Sequence, residues 1–218
     1  MKTLSLWALW LWTALVIWAA FFYAPPAAGF IGYSSRILYF HVPLAWTAFI
    51  AFFVAAWWSI RYLSGRRMEH DRAAVSAIEI GFVYCLLATV TGALWARIMW
   101  GEYWNWDPRQ TSIILVLIFY GAYLALRGAV PDEEKRARLA AVYALIGIAV
   151  TPFFFFIVPR ITYSLHPDSV INSRGKVDMD SRMLQVLLAS FVAQLALFFW
   201  MHHLDRRLRD RIARRERD

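Results

Sequence analysis

Residues 139–158 read Leu-Ala-Ala-Val-Tyr-Ala-Leu-Ile-Gly-Ile-Ala-Val-Thr-Pro-Phe-Phe-Phe-Phe-Ile-Val, twenty consecutive positions without a charge. A helix of twenty residues rises about 30 Å, the thickness of a bilayer's hydrocarbon core. Five more segments share this character: Leu4 to Tyr23, Val42 to Leu63, Ala74 to Leu94, Thr111 to Leu126 and Met183 to His203. Backbone polar groups inside lipid must be satisfied within the segment, so each run is predicted to be a helix. The expected fold is all-α: a polytopic bundle of six transmembrane helices forming one membrane-integral domain over residues 1–218, with a basic tail at 204–218.

Composition agrees. Of 218 residues, 61% are hydrophobic and 17% charged, and the mean hydropathy is +0.48. Soluble domains carry roughly 45–50% apolar and about 25% charged residues, so this chain's surface is built for lipid. A cytosolic enzyme is excluded. The +8 net charge does not indicate nucleic acid, because seven of the basic residues (Arg206, Arg207, Arg209, Arg211, Arg214, Arg215, Arg217) follow directly on the last apolar run, as in a cytoplasmic anchor. The lone cysteine, Cys85, rules out an intramolecular disulfide, a CxxC redox pair and a CxxCH haem attachment. The first run follows Lys2 and is long and rich in tryptophan, so it is read as a retained span rather than a cleaved signal.

Orientation follows from the basic residues in the connections. One side collects Lys2, Arg61, Arg66, Arg67, Arg72, Arg127, Lys135, Arg136, Arg138 and the seven tail arginines; the other has Arg36, Arg97, Arg109, Arg160, Arg174, Lys176 and Arg182. Sixteen against seven places both termini in the cytoplasm, with the longer, aromatic-rich connections outside, in the periplasm of a Gram-negative cell.

The second outer connection reads Trp95-Ala-Arg-Ile-Met-Trp100-Gly-Glu-Tyr-Trp104-Asn-Trp106-Asp-Pro-Arg-Gln110, four tryptophans in twelve positions. A helix over Met99 to Trp106 would set Trp100, Tyr103 and Trp104 on one face, a short amphipathic aromatic segment lying at the membrane surface. One reading of these rings is an interfacial belt; their concentration in a single loop favours a platform for a large planar ligand. Asp107-Pro108-Arg109-Gln110 is a capping box for the fourth span, with Asp107 at the N-cap and Gln110 at N3. On that role, loss of Asp107 would misplace Trp106 and Arg109 rather than unfold the bundle.

His41 precedes the second span and His166 lies in the third outer connection, each near a proline expected to hold its backbone away from regular helix and let its ring project over the outer surface. His70, His202 and His203 fall on the cytoplasmic side. Two outward imidazoles beside an aromatic shelf suit the two axial positions of a haem iron, and zinc or copper is poorly served there. Arg36, Arg97, Arg109 and Arg160 are candidate partners for haem propionates, and the sequence does not choose among them.

Trp100-Gly-Glu-Tyr-Trp104-Asn-Trp106-Asp107 fits the pattern WGxxWxWD and resembles the tryptophan-rich signature of the haem-handling proteins of cytochrome c maturation. The short chain, with one histidine before the second span and one between the fifth and sixth, is similar over its whole length to the haem exporter protein C (CcmC) family. That resemblance implies haem b held by His41 and His166 as axial ligands (metal) against a platform of Trp100, Gly101, Trp104, Trp106 and Asp107. It also implies delivery to the periplasmic chaperone CcmE, alongside the ABC transporter subunits CcmA and CcmB and the single-span CcmD, in the inner membrane. Such delivery implies that loss of Trp104 or Asp107 impairs handover more than binding, and no conventional catalytic residue is implied. Asp-Pro-Arg-Gln-Thr is similar to a segment of the larger haem synthetases, but those carry a further histidine pair, and the adjacent His202 and His203 cannot sandwich an iron. Two other readings stay open: a membrane synthetase or b-type oxidoreductase, and a passive membrane subunit of an ABC exporter.

Overall fold

In a computed structural model of the chain, which describes residues 3–166 and 179–216, the predicted spans are helices and no strand occurs among the described residues. Helix α1 covers Thr3–Phe22, α2 Leu38–Gly65, α3 Met68–Trp100, α4 Pro108–Ala129 and α5 Glu133–Pro152. A π-helical turn, Phe153–Ile157, joins α5 to the short α6, Val158–Ile161, and α7 runs from Ser181 to Arg215. A 3-10 segment, Gly29–Ile37, leads straight into α2. Among the described residues five stretches are long and apolar enough to cross a bilayer, and the apolar part of α1, Leu6–Phe22, is shorter. The chain is a multi-pass membrane protein. Lys2, Arg174, Lys176 and Arg217, used in the charge count, lie outside the described residues.

Small residues let α2 and α3 approach closely. Ala48, Ala51 and Ala55 face Ala77, Gly81, Cys85 and Ala88 in one buried cluster, and a Cβ added at Gly81 would stand 2.8 Å from that of Ala51. Phe52 stacks on Tyr120 of α4 with centroids 3.6 Å apart, and the Tyr120 hydroxyl pairs with Thr151 at 3.0 Å. These contacts tie α2 through α5 into one unit.

Pro43 lies inside α2, so it supplies no N–H to the carbonyl of Tyr39 four residues earlier. The hydroxyl of Ser190, on α7 and buried, donates to that carbonyl instead. The proline therefore does not break the helix, and His41 is helical, which corrects the expected irregular backbone around it. Ser190→Ala should destabilise the fold by about 1–3 kcal/mol, the cost of a buried acceptor left unpaired, as read from thermal unfolding in detergent.

At one end of the bundle Arg127 of α4 grips Asp71 of α3 through two bonds of 2.7 and 2.8 Å. There α7 continues unbroken beyond the span, so that the basic segment from 204 onward is helix as far as Arg215. Asp210 accepts from Arg72 at 2.7 Å, and Arg209 bonds Asp205 and Glu79. Two pairs between α3 and α7, Arg72 with Asp210 and Glu79 with Arg209, thus anchor the basic segment against the bundle. His202 is buried here with Nδ1 3.1 Å from Ser76 Oγ, remote from the opposite end, where the aromatic segment gathers.

Candidate functional site

At that opposite end α3 stops at Trp100, because Gly101 takes a left-handed conformation (φ 83°) and its N–H returns to the carbonyl of Arg97. The expected helix over Met99–Trp106 is therefore not formed. Residues 101–107 are irregular and Trp106 also has positive φ (58°), so Trp100 and Trp104 do not share a helical face. Gln110 holds the loop from inside: its Oε1 accepts from the Asn105 N–H at 3.1 Å and its Nε2 donates to the Tyr103 carbonyl at 3.2 Å. It makes no capping box, since the Asp107 N–H donates to Asn105 Oδ1.

Asp107 does cap α4, accepting from the Arg109 N–H at 2.9 Å, but capping is the smaller part of its work. The same carboxylate accepts from the Leu165 N–H at 2.7 Å, from the Ser164 hydroxyl at 3.0 Å, and from Nδ1 of His166 at 3.1 Å. Asp107 is only 4% exposed. Burial on its own would raise its pKa, yet the N–H groups of Arg109 and Leu165, with His166 and Ser164, hold it below the usual carboxylate value. Burial pushes the His166 imidazole down to about 4, with Asp107 opposing, so the ring is neutral at physiological pH. A neutral ring that donates from Nδ1 carries its lone pair on Nε2, the nitrogen available to a metal. Trp95 and Trp100 box the ring, centroids 6.0 and 5.0 Å away.

His41 is oriented the same way by different residues. Its Nδ1 lies 3.0 Å from the Ala88 carbonyl and 3.1 Å from Thr91 Oγ1, both on α3. A carbonyl only accepts, so Nδ1 bears the hydrogen and Nε2 the lone pair. Its ring packs on Gly92, where an added Cβ would meet Cε1 at 2.8 Å. The ring is thus turned against α3 rather than projected over the surface. Gly92→Ala should raise the intrinsic stability of α3 by up to about 1 kcal/mol while displacing this ring. The expected outcome is an unchanged or higher melting temperature with affinity for any metal-centred ligand at this nitrogen lowered roughly 10–100-fold, the range for loss of a ligand's orientation.

His41 and His166 line one cavity of about 190 Å³, together with Trp104, Arg109, Gln110, Ser112 and residues of α2, α3 and the π-turn, including Trp46 and Phe155. Of the sequence-selected residues, the fold thus brings His41, His166, Trp104 and Arg109 to one place, with Trp100 and Asp107 behind His166. Gly101 ends α3, and Trp106, 74% exposed, meets Trp104 edge-on at 5.8 Å. The other arginines are engaged elsewhere: Arg36 donates to the Phe21 carbonyl, Arg97 lies over Tyr103, and Arg160 donates to the Phe156 carbonyl. Sequence reasoning passed over Gly92, Ala88, Thr91 and Ser164, which carry no motif of their own; Trp95 stood in the aromatic run without being chosen. Two neutral imidazoles offering Nε2, aromatic walls, an arginine and a buried serine fit an amphipathic iron macrocycle. Among the described residues there is no cluster of three or more His, Cys, Asp or Glu side chains able to hold a bare metal ion.

The family model described as Heme exporter protein C matches residues 1–218. A Heme exporter protein C of Bradyrhizobium diazoefficiens is 36% identical over 171 residues, 78% of this chain and 65% of the relative, so the match spans just under two thirds of that protein. One from Rhodobacter capsulatus is 32% identical over 183 residues, 84% of this chain and 73% of the relative. A putative cytochrome c biosynthesis ccmC-like mitochondrial protein of Marchantia polymorpha is 30% identical over 192 residues, 87% of this chain and 81% of the relative. With its whole length matched by the family model and its six apolar helices in place, the chain belongs to the Heme exporter protein C family.

Proposed function

We propose that the protein holds haem b as cargo between Nε2 of His41 and Nε2 of His166, with Trp104 against the ring, and passes it to a periplasmic chaperone of the CcmE type. The observation that carries this reading is that both imidazoles line one cavity with Nδ1 already engaged, by Ala88 and Asp107 respectively. Haem supplies the iron and a large apolar face; the chain supplies two nitrogen ligands, their orientation and the aromatic surround. Arg109 is the one arginine of the four that lines the cavity, so it is assigned to a propionate. Enclosed ligand sites are typically about 300–1000 Å³, and a cavity of about 190 Å³ encloses only part of a haem. The rest stays accessible, as handover requires. The ABC subunits CcmA and CcmB and the small CcmD are the expected companions, by membership of the family.

The charge count favours an outward-facing site with both termini in the cytoplasm. Membranes containing the protein and the chaperone test both points. Trp104→Ala should lower covalent haem on the chaperone more than haem retained by the protein, and equal losses would reduce Trp104 to a binding role. Cys85 is buried and lies in mid-span, so a Tyr103→Cys variant adds one reactive thiol. It should react with an impermeant maleimide added from the periplasmic side; reaction only after permeabilisation would reverse the orientation.

A further inference from the structure

A second cavity, about 760 Å³, lies between α1 and α7, away from the two histidines. Its walls include Trp12 of α1 and Val192, Ala196 and Phe199 of α7, and His203 and Arg207 close one end. The two helices are pinned beside it by the Trp12 indole, which donates to the Ala189 carbonyl at 3.1 Å, and by Trp10 edge-on to Trp200 at 6.5 Å. The wall residues Val192, Phe199 and Trp12 are each 41–55% exposed. An apolar cleft of this size is left open on the lipid-facing flank of the bundle.

Charge at its rim is specific to one side chain. Arg206 lies over Trp58, Arg209 is bonded to Asp205 and Glu79, and Arg72 holds Asp210. Arg207 makes no ion pair among the described residues, and it lines the cleft. From Val192 to Arg207 the helix rises about 22 Å at 1.5 Å per residue. Half of a bilayer's total thickness of roughly 40–45 Å is about 20–22 Å, so the cleft is one leaflet deep with its cation at headgroup level. A haem is also an amphipathic anion, but it is compact and would fill a fraction of that length.

We infer that the α1–α7 cleft is a binding site for one anionic phospholipid, its acyl chain along Val192, Ala196 and Phe199 and its phosphate against Arg207 and His203. A basic pocket between spans at the headgroup level is the arrangement that selects acidic lipids, at about 1 kcal/mol per basic residue. The site is independent of the histidine cavity, and a lipid held there fastens α1 to the rest of the bundle.

Native mass spectrometry of the full chain in detergent, titrated with phosphatidylglycerol or phosphatidylcholine, tests this. The wild type should retain one phosphatidylglycerol about fivefold more tightly than phosphatidylcholine. R207Q should reduce that preference to near unity, whereas R211Q, which removes an arginine outside the cleft, should keep it. Ala196→Trp, filling the cleft, should abolish retention of both lipids. Equal losses in R207Q and R211Q would mean diffuse attraction to the basic helix and would overturn the proposal. So would phosphatidylglycerol retention unchanged by Ala196→Trp, or displacement of the lipid by haemin at equimolar concentration. If Ala196→Trp does not fold, the comparison of R207Q with R211Q still decides.

Discussion

Asp107→Ala should cost the protein its haem, with affinity lowered about 100-fold or more, although the carboxylate is read as touching no ligand. Its removal takes the acceptor from Nδ1 of His166, from the N–H of Leu165, from the Ser164 hydroxyl and from the N–H of Arg109 at the start of α4. Hydrogen bonds to a charged group contribute about 1.5–3 kcal/mol each, and loss of an orienting partner alone weakens a metal site roughly 10–100-fold. This reverses the expectation from sequence, in which Asp107 was chiefly a cap and its loss would strike handover before binding. Asp107→Ser separates the two roles. Serine caps a helix nearly as well as aspartate, but its shorter side chain cannot also reach Leu165 and His166. A serine variant with full haem affinity would make Asp107 a cap and nothing more; the expected serine variant binds as poorly as alanine while its helix content and melting temperature stay near those of the wild type.

Removing either imidazole should have a comparable effect with a different signature. His41 and His166 are offered by separate elements, one by α2 and one by the segment after α6, and each is held by its own partners. His41→Ala therefore leaves His166 oriented, and His166→Ala leaves His41 oriented, so each single variant should bind haem through one histidine and accept imidazole in the open position. Added imidazole should restore most of the lost affinity in each single variant and little in the double variant. The same addition should do nothing for Asp107→Ala, in which the histidine remains but its direction is lost. Equal rescue of all of them would mean that imidazole is acting on haem solubility rather than at the site.

Much of the architecture is readable from the chain because its physics is local. A run such as 139–158 has no alternative to a helix in lipid, and the start of α4 is written in Asp107-Pro108. The end of α3 is also present, in Gly101, but Trp100, Tyr103 and Trp104 at i, i+3, i+4 spacing suggest that the helix continues; a single left-handed residue outweighs that periodicity. Pro43 misled in the other direction, because the hydroxyl that compensates for it sits 151 positions away from Tyr39 on Ser190. The site divides similarly. Two outward histidines and an aromatic run can be counted, whereas the pairing of Asp107 with His166 spans 59 positions and that of His41 with Ala88 spans 47, distances no local pattern encodes. Gly92 illustrates the limit: its role is the space beside a ring from another helix, and only the packed fold defines that space. The arginines are underdetermined for the same reason; of the four, Arg109 lines the cavity.

If one haem iron takes Nε2 from both His41 and His166, as proposed, the spin and ligation state of the bound haem reports it directly. Electron paramagnetic resonance and visible spectra of the oxidised protein, purified in detergent with its haem, should show a low-spin, six-coordinate, bis-imidazole iron. That signal should give way to a five-coordinate or exchangeable form in His41→Ala and again in His166→Ala. A low-spin signal that survives in both variants, or a wild-type iron that is high-spin with the haem bound, would contradict the two-histidine site.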